Sequence, residues 1–292
     1  MNITRLLKVR NEIDVIEENL EYYANQGIPS IVLDNNSDDG TFEICKKYER
    51  LGSIVMLDRI TTQGFEREKI LKKLDKMCEK YAPDIVVMAD ADEFMESPIF
   101  GQSLKDGIHQ QFQRGYNLIQ MASMEFWMTE KDDLYKKKVM ERIKYYSFFL
   151  AQHFRIYGFV PRTSLVDYNN HAPNFPRDHK VKLSDEIFIT RHYKFRSLEQ
   201  ALKKVRRVVP TKGKIDVGFH YVNFDDNEKN YIIPANKLNF YAEDKNWSFE
   251  VVYFGGRMNK DELKEYLGIK TDDEMNLWFK NRNPFYRELP IK

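Results

Sequence analysis

Three carboxylates, Asp90, Asp92 and Glu93, directly follow a run of apolar residues at 85–89. Such a short apolar run is typical of a strand buried on both faces, and ligands of open α/β sheets bind beyond the carboxyl ends of these strands. Residues two apart on a strand share a face, so Asp90 and Asp92 are expected to point the same way. Because neighbouring carboxylates repel each other unless a cation lies between them, and because hard oxygen ligands suit Mg²⁺ and Mn²⁺, the segment predicts a divalent-cation site. The alternative is a strand that ends in an acidic, solvated turn.

The first half of the chain alternates between strand and helix patterns. The predicted order is strand 3–9, helix 12–26, strand 30–34, helix 41–51, strand 54–57, helix 65–81 and then the acidic strand. This alternation predicts an α/β fold with a mostly parallel sheet flanked by helices. Asp34 ends the second strand and is therefore expected at the same sheet edge as Asp90. A carboxylate at that edge can accept hydrogen bonds from a ribose hydroxyl or a base imide.

The second half gives fewer patterns. A helix is predicted at 102–114, a strand at 116–121 and a basic helix from Ser197 to Val209, which opens with capping-box spacing. Two more capping signatures near the end predict a helical tail. With no repeat, low-complexity tract or linker, we expect one domain with C-terminal elaborations.

Composition excludes several classes of protein. The 292 residues carry a formal net charge of +1, so no global field points to nucleic acid or to a membrane. Two cysteines form no disulfide framework, which favours a reducing, cytoplasmic setting. No apolar run approaches eighteen residues, so no transmembrane helix is expected.

Several known motifs are absent or incomplete. No glycine-rich dinucleotide fingerprint or P-loop follows the first strand, and no nucleophile elbow occurs. The segment from Asp34 to Cys45 has alternating oxygen-bearing residues but fails as a calcium loop, because Asp39 replaces the required glycine and Cys45 the final glutamate. The sheet is therefore expected to handle a phosphate-bearing ligand through a metal.

Three segments taken together resemble family 2 glycosyltransferases of the GT-A fold, a group with bacterial, DxD-containing members. They are Lys8-Val9-Arg10-Asn11-Glu12, the segment Asp34-Asn35-Asn36-Ser37-Asp38-Asp39-Gly40-Thr41, and Asp90-Ala91-Asp92-Glu93-Phe94. Their order and spacing match over roughly the first hundred residues. The resemblance implies a Rossmann-like, nucleotide-sugar-binding half at 1–100 and an acceptor half at 101–220. We expect 221–292 to be a helical extension packed on the same domain.

The resemblance also implies roles for individual residues. Those expected to bind the nucleotide are Arg10, Asn11, Glu12, Asp34, Ser37, Arg67, Asp90 and Ala91. Those expected to bind Mn²⁺ or Mg²⁺ are Asp90, Asp92 and His192, with His220 as the alternative histidine. The segment from His192 to Gln200 resembles one seen in a bacterial branch of the superfamily, while Gly64 and Arg67 match the family's glycine/arginine segment weakly.

The resemblance implies transfer of a sugar from a nucleotide-sugar to a glycan or lipid-linked acceptor in surface polysaccharide synthesis. A UDP-sugar is the expected donor. Family 2 members generally invert the anomeric centre, and inversion needs a proton acceptor, for which Glu125 is the candidate. The base and acceptor motifs of processive members are missing. Two alternatives stay open: a nucleotidyltransferase or phosphatase that uses the same carboxylates, and an idle nucleotide-binding module.

Two basic clusters, 131–138 and 203–207, are either solvated faces or sites for diphosphate or anionic lipid. A peripheral contact with the inner face of the membrane is therefore a further expectation, and nucleic acid is not an expected partner. Trp127 either stacks on an acceptor sugar or packs in the core.

Overall fold

The computed structural model describes residues 1–62, 66–165, 173–208, 227–245, 251–253, 257–259 and scattered positions between 261 and 274. The strands are β1 (Ile3–Val9), β2 (Ser30–Asp34), β3 (Ile54–Arg59), β4 (Ile85–Met88), β5 (Glu93–Glu96), β6 (Leu118–Trp127), β7 (Tyr145–Gly158), β8 (Leu183–His192), β9 (Asn239–Phe240), β10 (Val251–Tyr253) and β11 (Arg257–Asn259). The helices are α1 (Ile16–Asn25), α2 (Thr41–Arg50), α3 (Arg67–Tyr81), α4 (Leu104–Gln113), α5 (Val139–Arg142) and α6 (Leu198–Val208).

The chain divides into two compact units. Unit 1 comprises 1–121 and 153–188, and unit 2 comprises 122–152 and 189–292. In unit 1, β3, β2, β1 and β4 lie side by side in that order and are parallel, and β7 joins β4 in the antiparallel sense. Helices cover this sheet, so the predicted α/β class with a mostly parallel sheet flanked by helices is confirmed.

Both faces of the unit 1 sheet are covered by apolar cores, and its central strands β2 and β4 are apolar except at the two ends of β2, as such a position requires. Along β4, Val86 and Met88 contact the core that α3 covers, which includes Leu71 and Leu74. Alternate residues of the same strand face the opposite core, which α1 and α4 cover. The strand is therefore fixed on both sides, and only its carboxyl end is left for polar residues.

Several local predictions differ from the structure: β3 extends to Arg59 and not only to residue 57, and β6 spans Leu118–Trp127 and not 116–121. Glu93–Glu96 forms the short strand β5, which sequence analysis did not predict. Helix α1 begins at Ile16 and not at residue 12, because Asn11 adopts a left-handed conformation with φ of 55° and the backbone then turns before the helix starts.

Unit 2 has a core rich in aromatic side chains. The Phe126 ring stacks on the Tyr193 ring with 4.5 Å between centroids, and Trp127 donates a 2.8 Å hydrogen bond from Nε1 to Ser147 Oγ. Trp127 is buried, which agrees with core packing, the alternative to a sugar-stacking role.

The predicted domain boundaries stay predictions. Within 221–292, the described residues include β9, β10, β11 and two 3₁₀ turns, at Glu228–Asn230 and Ala235–Lys237. Among the described residues, no helix has the length and apolar character needed to cross a membrane.

Candidate functional site

Charged side chains alternate in sign across the carboxyl edge of the unit 1 sheet. Asp34 and Arg59 are register partners at the ends of β2 and β3, and Asp34 Oδ2 lies 3.0 Å from Arg59 Nε. Leu6 pairs with Met88 in the ladder between β1 and β4, so Lys8 and Asp90, each two residues further on, are neighbours; their side chains form an ion pair. The predicted meeting of the strand ends at one edge therefore holds for Asp34 and Asp90, and each carboxylate has a basic partner from the adjacent strand.

The loops after β1 and β2 are joined by hydrogen bonds. The Asn11 backbone N–H donates to Ser37 Oγ at 3.0 Å, and its side-chain amide exchanges hydrogen bonds with Asp38. The Glu12 N–H donates to Thr41 Oγ1 at 2.9 Å. Two segments that were expected to bind one nucleotide are thus direct neighbours, and each one fixes the conformation of the other.

Asp34 is completely buried at the end of β2. Its carboxylate accepts the backbone N–H of Ser37 and pairs with Arg59, whose guanidinium also donates to the Ser37 carbonyl and lies 4.5 Å from the Phe42 ring centroid. A nucleotide that reached Asp34 would therefore have to share it with Arg59. The direct ribose or base contact expected of Asp34 stays a prediction.

The segment 90–93 forms a tight turn that a buried ion pair holds in place. The Glu93 N–H donates to the Asp90 carbonyl at 3.1 Å, while Glu93 Oε2 accepts the Asp90 N–H at 2.9 Å. The same Glu93 oxygen pairs with Arg155 of β7. Ala91 and Asp92, between them, are also buried. A rigid turn of this kind fixes the direction of both aspartates.

Charge balance keeps Asp90 ionised. Burial and the nearby Asp92 carboxylate act to raise the pKa of Asp90, but Lys8 and Arg155 outweigh them and leave this pKa below its ordinary value. The Asp90 side chain is 37% exposed, so it remains accessible to a ligand.

Asp90 and Asp92 fit a divalent cation by donor type and by number. Mg²⁺ commonly binds through one or two carboxylates and completes its shell with substrate phosphates and water. In the described part of the chain, no group of three or more His, Cys, Asp or Glu side chains is spaced to hold a metal ion. The two aspartates therefore suit a cation that arrives with a phosphate-bearing ligand, and not an all-protein cage.

The other predicted nucleotide and metal ligands are less defined. Arg10 and Glu12 are half-buried in the loop after β1, and Arg67 is the half-buried first residue of α3. Gly64 and His220 lie outside the described residues. The roles proposed for all five stay predictions.

In unit 2, Glu125 and His192 form a pair that sequence analysis treated as two separate candidates. Glu125 Oε2 lies 2.8 Å from His192 Nδ1, and Ser123 Oγ donates to Glu125 Oε1 at 3.0 Å. Burial acts to raise the pKa of Glu125, but the His192 charge and hydrogen bond outweigh it and, with Lys194 and Ser123, lower this pKa to about 2. A carboxylate with so low a pKa is a weak proton acceptor at neutral pH.

In metal-binding histidines, one ring nitrogen typically faces a carboxylate while the other binds the metal, and the Nδ1–Glu125 contact matches the first half of this arrangement. The sequence does not indicate this pairing. The roles predicted for Glu125 as base and for His192 as metal ligand both stay predictions.

Sequence analysis missed four residues that hold the unit 1 site together: Lys8 as the partner of Asp90, Arg59, Glu93 as a turn-forming side chain, and Arg155. Arg59 ends a strand next to the one that ends in Asp34, so a longer third strand would have suggested it. Arg155 is 62 residues from Glu93 in sequence, and no local pattern points to their contact.

Comparisons with known proteins find no family model that matches the chain and no match among curated proteins. A solved mannosyltransferase from Pyrobaculum calidifontis, in complex with GDP-Man and Mn²⁺, is similar at 14% identity and a TM-score of 0.38, over 72% of this chain and 63% of that chain. A mannose-1-phosphate geranyltransferase from Thermus thermophilus is similar at 9% identity and a TM-score of 0.30, over 72% and 62%. A putative glucose-1-phosphate thymidylyltransferase from Bacillus anthracis, in complex with a sucrose, is similar at 7% identity and a TM-score of 0.28, over 46% and 61%.

This chain thus spans less than two thirds of the length of each of these three proteins. At TM-scores of 0.38 and below, the likenesses do not establish a shared fold, and the function proposed next derives from this chain's own residues.

Proposed function

We propose that this protein is a metal-dependent glycosyltransferase that moves a sugar from a nucleoside-diphosphate sugar to a glycan or lipid-linked acceptor. A UDP-sugar is the expected donor. The observation that carries the proposal is the single sheet edge where the ends of β1, β2 and β4 bring together Lys8, Asp34 and Asp90. Inverting transfer and surface polysaccharide synthesis rest on the family resemblance alone, and a place at the inner face of the membrane rests on the basic clusters at 131–138 and 203–207.

The carboxyl edge of the unit 1 sheet has polar groups that suit the nucleoside of such a donor and charged groups that suit its diphosphate. The linked loops that carry Asn11 and Ser37, next to Asp34, present polar groups suited to a nucleoside. Lys8, one strand further along, presents an ammonium group suited to a diphosphate. In this arrangement Lys8 would leave Asp90 for a phosphate oxygen as the donor binds.

Asp90 and Asp92 are the residues that would hold Mn²⁺ or Mg²⁺. When bound there, the cation neutralises charge that develops on the departing nucleoside diphosphate. The Glu93–Arg155 pair holds the turn that carries the two aspartates in one conformation. The turn therefore has little conformational freedom to lose when the donor binds.

Calorimetric titration of UDP, GDP and their sugars, with and without Mn²⁺, tests the proposal. We expect Mn²⁺-dependent binding of one nucleotide, weakened by at least about tenfold in Asp92→Asn because one of two carboxylate ligands is lost. The matched control is Asp84→Asn, which removes an exposed carboxylate at the opposite end of β4 and should leave binding unchanged. If no nucleotide binds the wild-type protein under any condition, the proposed donor site does not exist.

A nucleotidyltransferase is the second candidate, and the Lys8–Asp90 pair is equally compatible with it. A lysine beside a carboxylate at a phosphate site serves transfer of a nucleotide as well as transfer of a sugar. The products separate the two reactions: sugar transfer releases a nucleoside diphosphate from a nucleotide-sugar, whereas nucleotidyl transfer releases pyrophosphate from a nucleoside triphosphate and a sugar phosphate.

A further inference from the structure

Two large apolar side chains stand at the tip of a tight turn in unit 2. Leu134 is 83% exposed and Tyr135 is 97% exposed. The turn runs from Asp133 to Lys136, with the Lys136 N–H donating to the Asp133 carbonyl at 3.0 Å. The two central positions of such a turn normally carry small or polar residues, so a leucine and a tyrosine here are unexpected on conformational grounds.

The loop that presents this turn is well ordered by hydrogen bonds. Asp133 Oδ1 accepts the Tyr135 N–H at 3.1 Å, which fixes the turn from within. At the base of the loop, Thr129 Oγ1 accepts the Lys131 N–H and donates to Asp132 Oδ1, at 3.1 and 2.9 Å. Both aspartates therefore shape the loop, and the apolar pair is held outward and is not the end of a loose segment.

Basic side chains surround the apolar pair. Residues 131–138 contain four lysines against two aspartates, and all four lysines are exposed. Of the adjoining acids, Glu130 accepts the Ala235 N–H at 3.1 Å, whereas Glu141 lies 4.0 Å from Lys136 and pairs with this one lysine of the four. The tip thus carries two apolar side chains flanked in sequence by four exposed lysines, which we call the cationic collar.

We propose that the Leu134–Tyr135 turn binds an anionic lipid surface. Leucine and tyrosine side chains insert at the boundary between headgroups and acyl chains, and long lysine side chains reach anionic headgroups around them. A stable protein partner would need roughly 800 Å² of complementary surface on this chain, which two projecting side chains do not supply. A membrane needs only exposed apolar side chains for shallow insertion and nearby cationic groups, and the turn has both. This inference is independent of the proposed enzymatic function.

Sedimentation of the full chain with vesicles tests it. We expect binding to vesicles that contain about one third phosphatidylserine, and much weaker binding to pure phosphatidylcholine, because the collar is cationic. Replacing Lys136, Lys137 and Lys138 by glutamine should weaken binding by about fivefold for each lysine. The double variant Leu134→Ser/Tyr135→Ser should weaken it by about tenfold or more, because the inserting groups are lost.

Two control variants test whether vesicle binding depends on the Leu134–Tyr135 turn or on any exposed apolar or charged side chain. Phe100→Ser removes an apolar side chain of unit 1 that is 70% exposed, and replacing Lys72 and Lys76 by glutamine removes exposed charges from α3. Neither should change vesicle binding. All altered positions are exposed, so unchanged circular dichroism and melting temperature are expected for every variant.

Insertion can be observed directly with a dye attached to Leu134→Cys. The native thiols Cys45 and Cys78 are buried, so the new cysteine is the one that reacts under native conditions. Blue-shifted emission on addition of anionic vesicles is the expected result. Absence of vesicle binding would overturn the proposal, as would binding that survives both the serine and the glutamine variants. If the protein self-associates without vesicles and the serine variant abolishes this association, the turn binds a second copy of this chain. That result would also overturn the proposal.

Discussion

Loss of Arg155 tests how strongly the buried ion pair holds the acidic turn. The side chains of Arg155 and Glu93 are 7% and 5% exposed, so neither charge is solvated when its partner is removed. Arg155→Met keeps a long side chain and removes the charge, which should lower the free energy of unfolding by about 3–5 kcal/mol. In Glu93→Gln/Arg155→Met both charges are gone, and an amide oxygen remains to accept the Asp90 N–H. This double variant should cost only about 1–2 kcal/mol.

Urea unfolding at pH 7, followed by circular dichroism, measures these differences. Lys72→Met is the control, because the Lys72–Glu68 pair lies on α3 with side chains 59% and 65% exposed, and its loss should cost under about 0.5 kcal/mol. If Arg155→Met is as mild as Lys72→Met, the guanidinium is dispensable. If the double variant is less stable than Arg155→Met alone, the two charges do not depend on each other and the reasoning fails.

Three further predictions concern residues outside the site. Gly107→Ala should destabilise the protein by about 1–3 kcal/mol in urea unfolding, despite its gain in helix propensity, because a Cβ at 107 would lie 3.0 Å from the Phe188 ring. Burial raises the pKa of Asp75 to about 6, so the contribution of this group to stability is fully present below its ordinary pKa and is lost as the pH rises from there through 6. Asp75→Asn should therefore raise the free energy of unfolding at pH 8 by about 1–2 kcal/mol, with a gain that disappears near pH 4. Burial raises the pKa of Cys45 and Cys78 to about 12, so a thiol reagent at pH 8 should modify them only after denaturant is added.

The unit 1 sheet was predictable because its strands carry strong local signals. β1 and β2 begin and end where the sequence predicts, since each contains several β-branched or leucine residues and is bounded by polar or turn-forming residues. The common edge of Asp34 and Asp90 follows from parallel topology alone. β5 was not predictable in this way, because its acidic side chains resemble a solvated turn and are buried only through tertiary contacts such as Glu93 with Arg155.

The basic partners of the site's carboxylates could not be predicted from sequence patterns. Asp34 pairs with Arg59, and Asp90 with Lys8, through strand neighbours that become adjacent only when the sheet forms. Because a divalent cation at Asp90 would lie close to the Lys8 ammonium, the two positive charges compete for one carboxylate. A diphosphate removes the conflict, since it gives the lysine another anion and the metal further oxygen ligands. On the proposed function, metal and nucleotide should therefore strengthen each other's binding by the same factor, and Mn²⁺ alone should bind weakly.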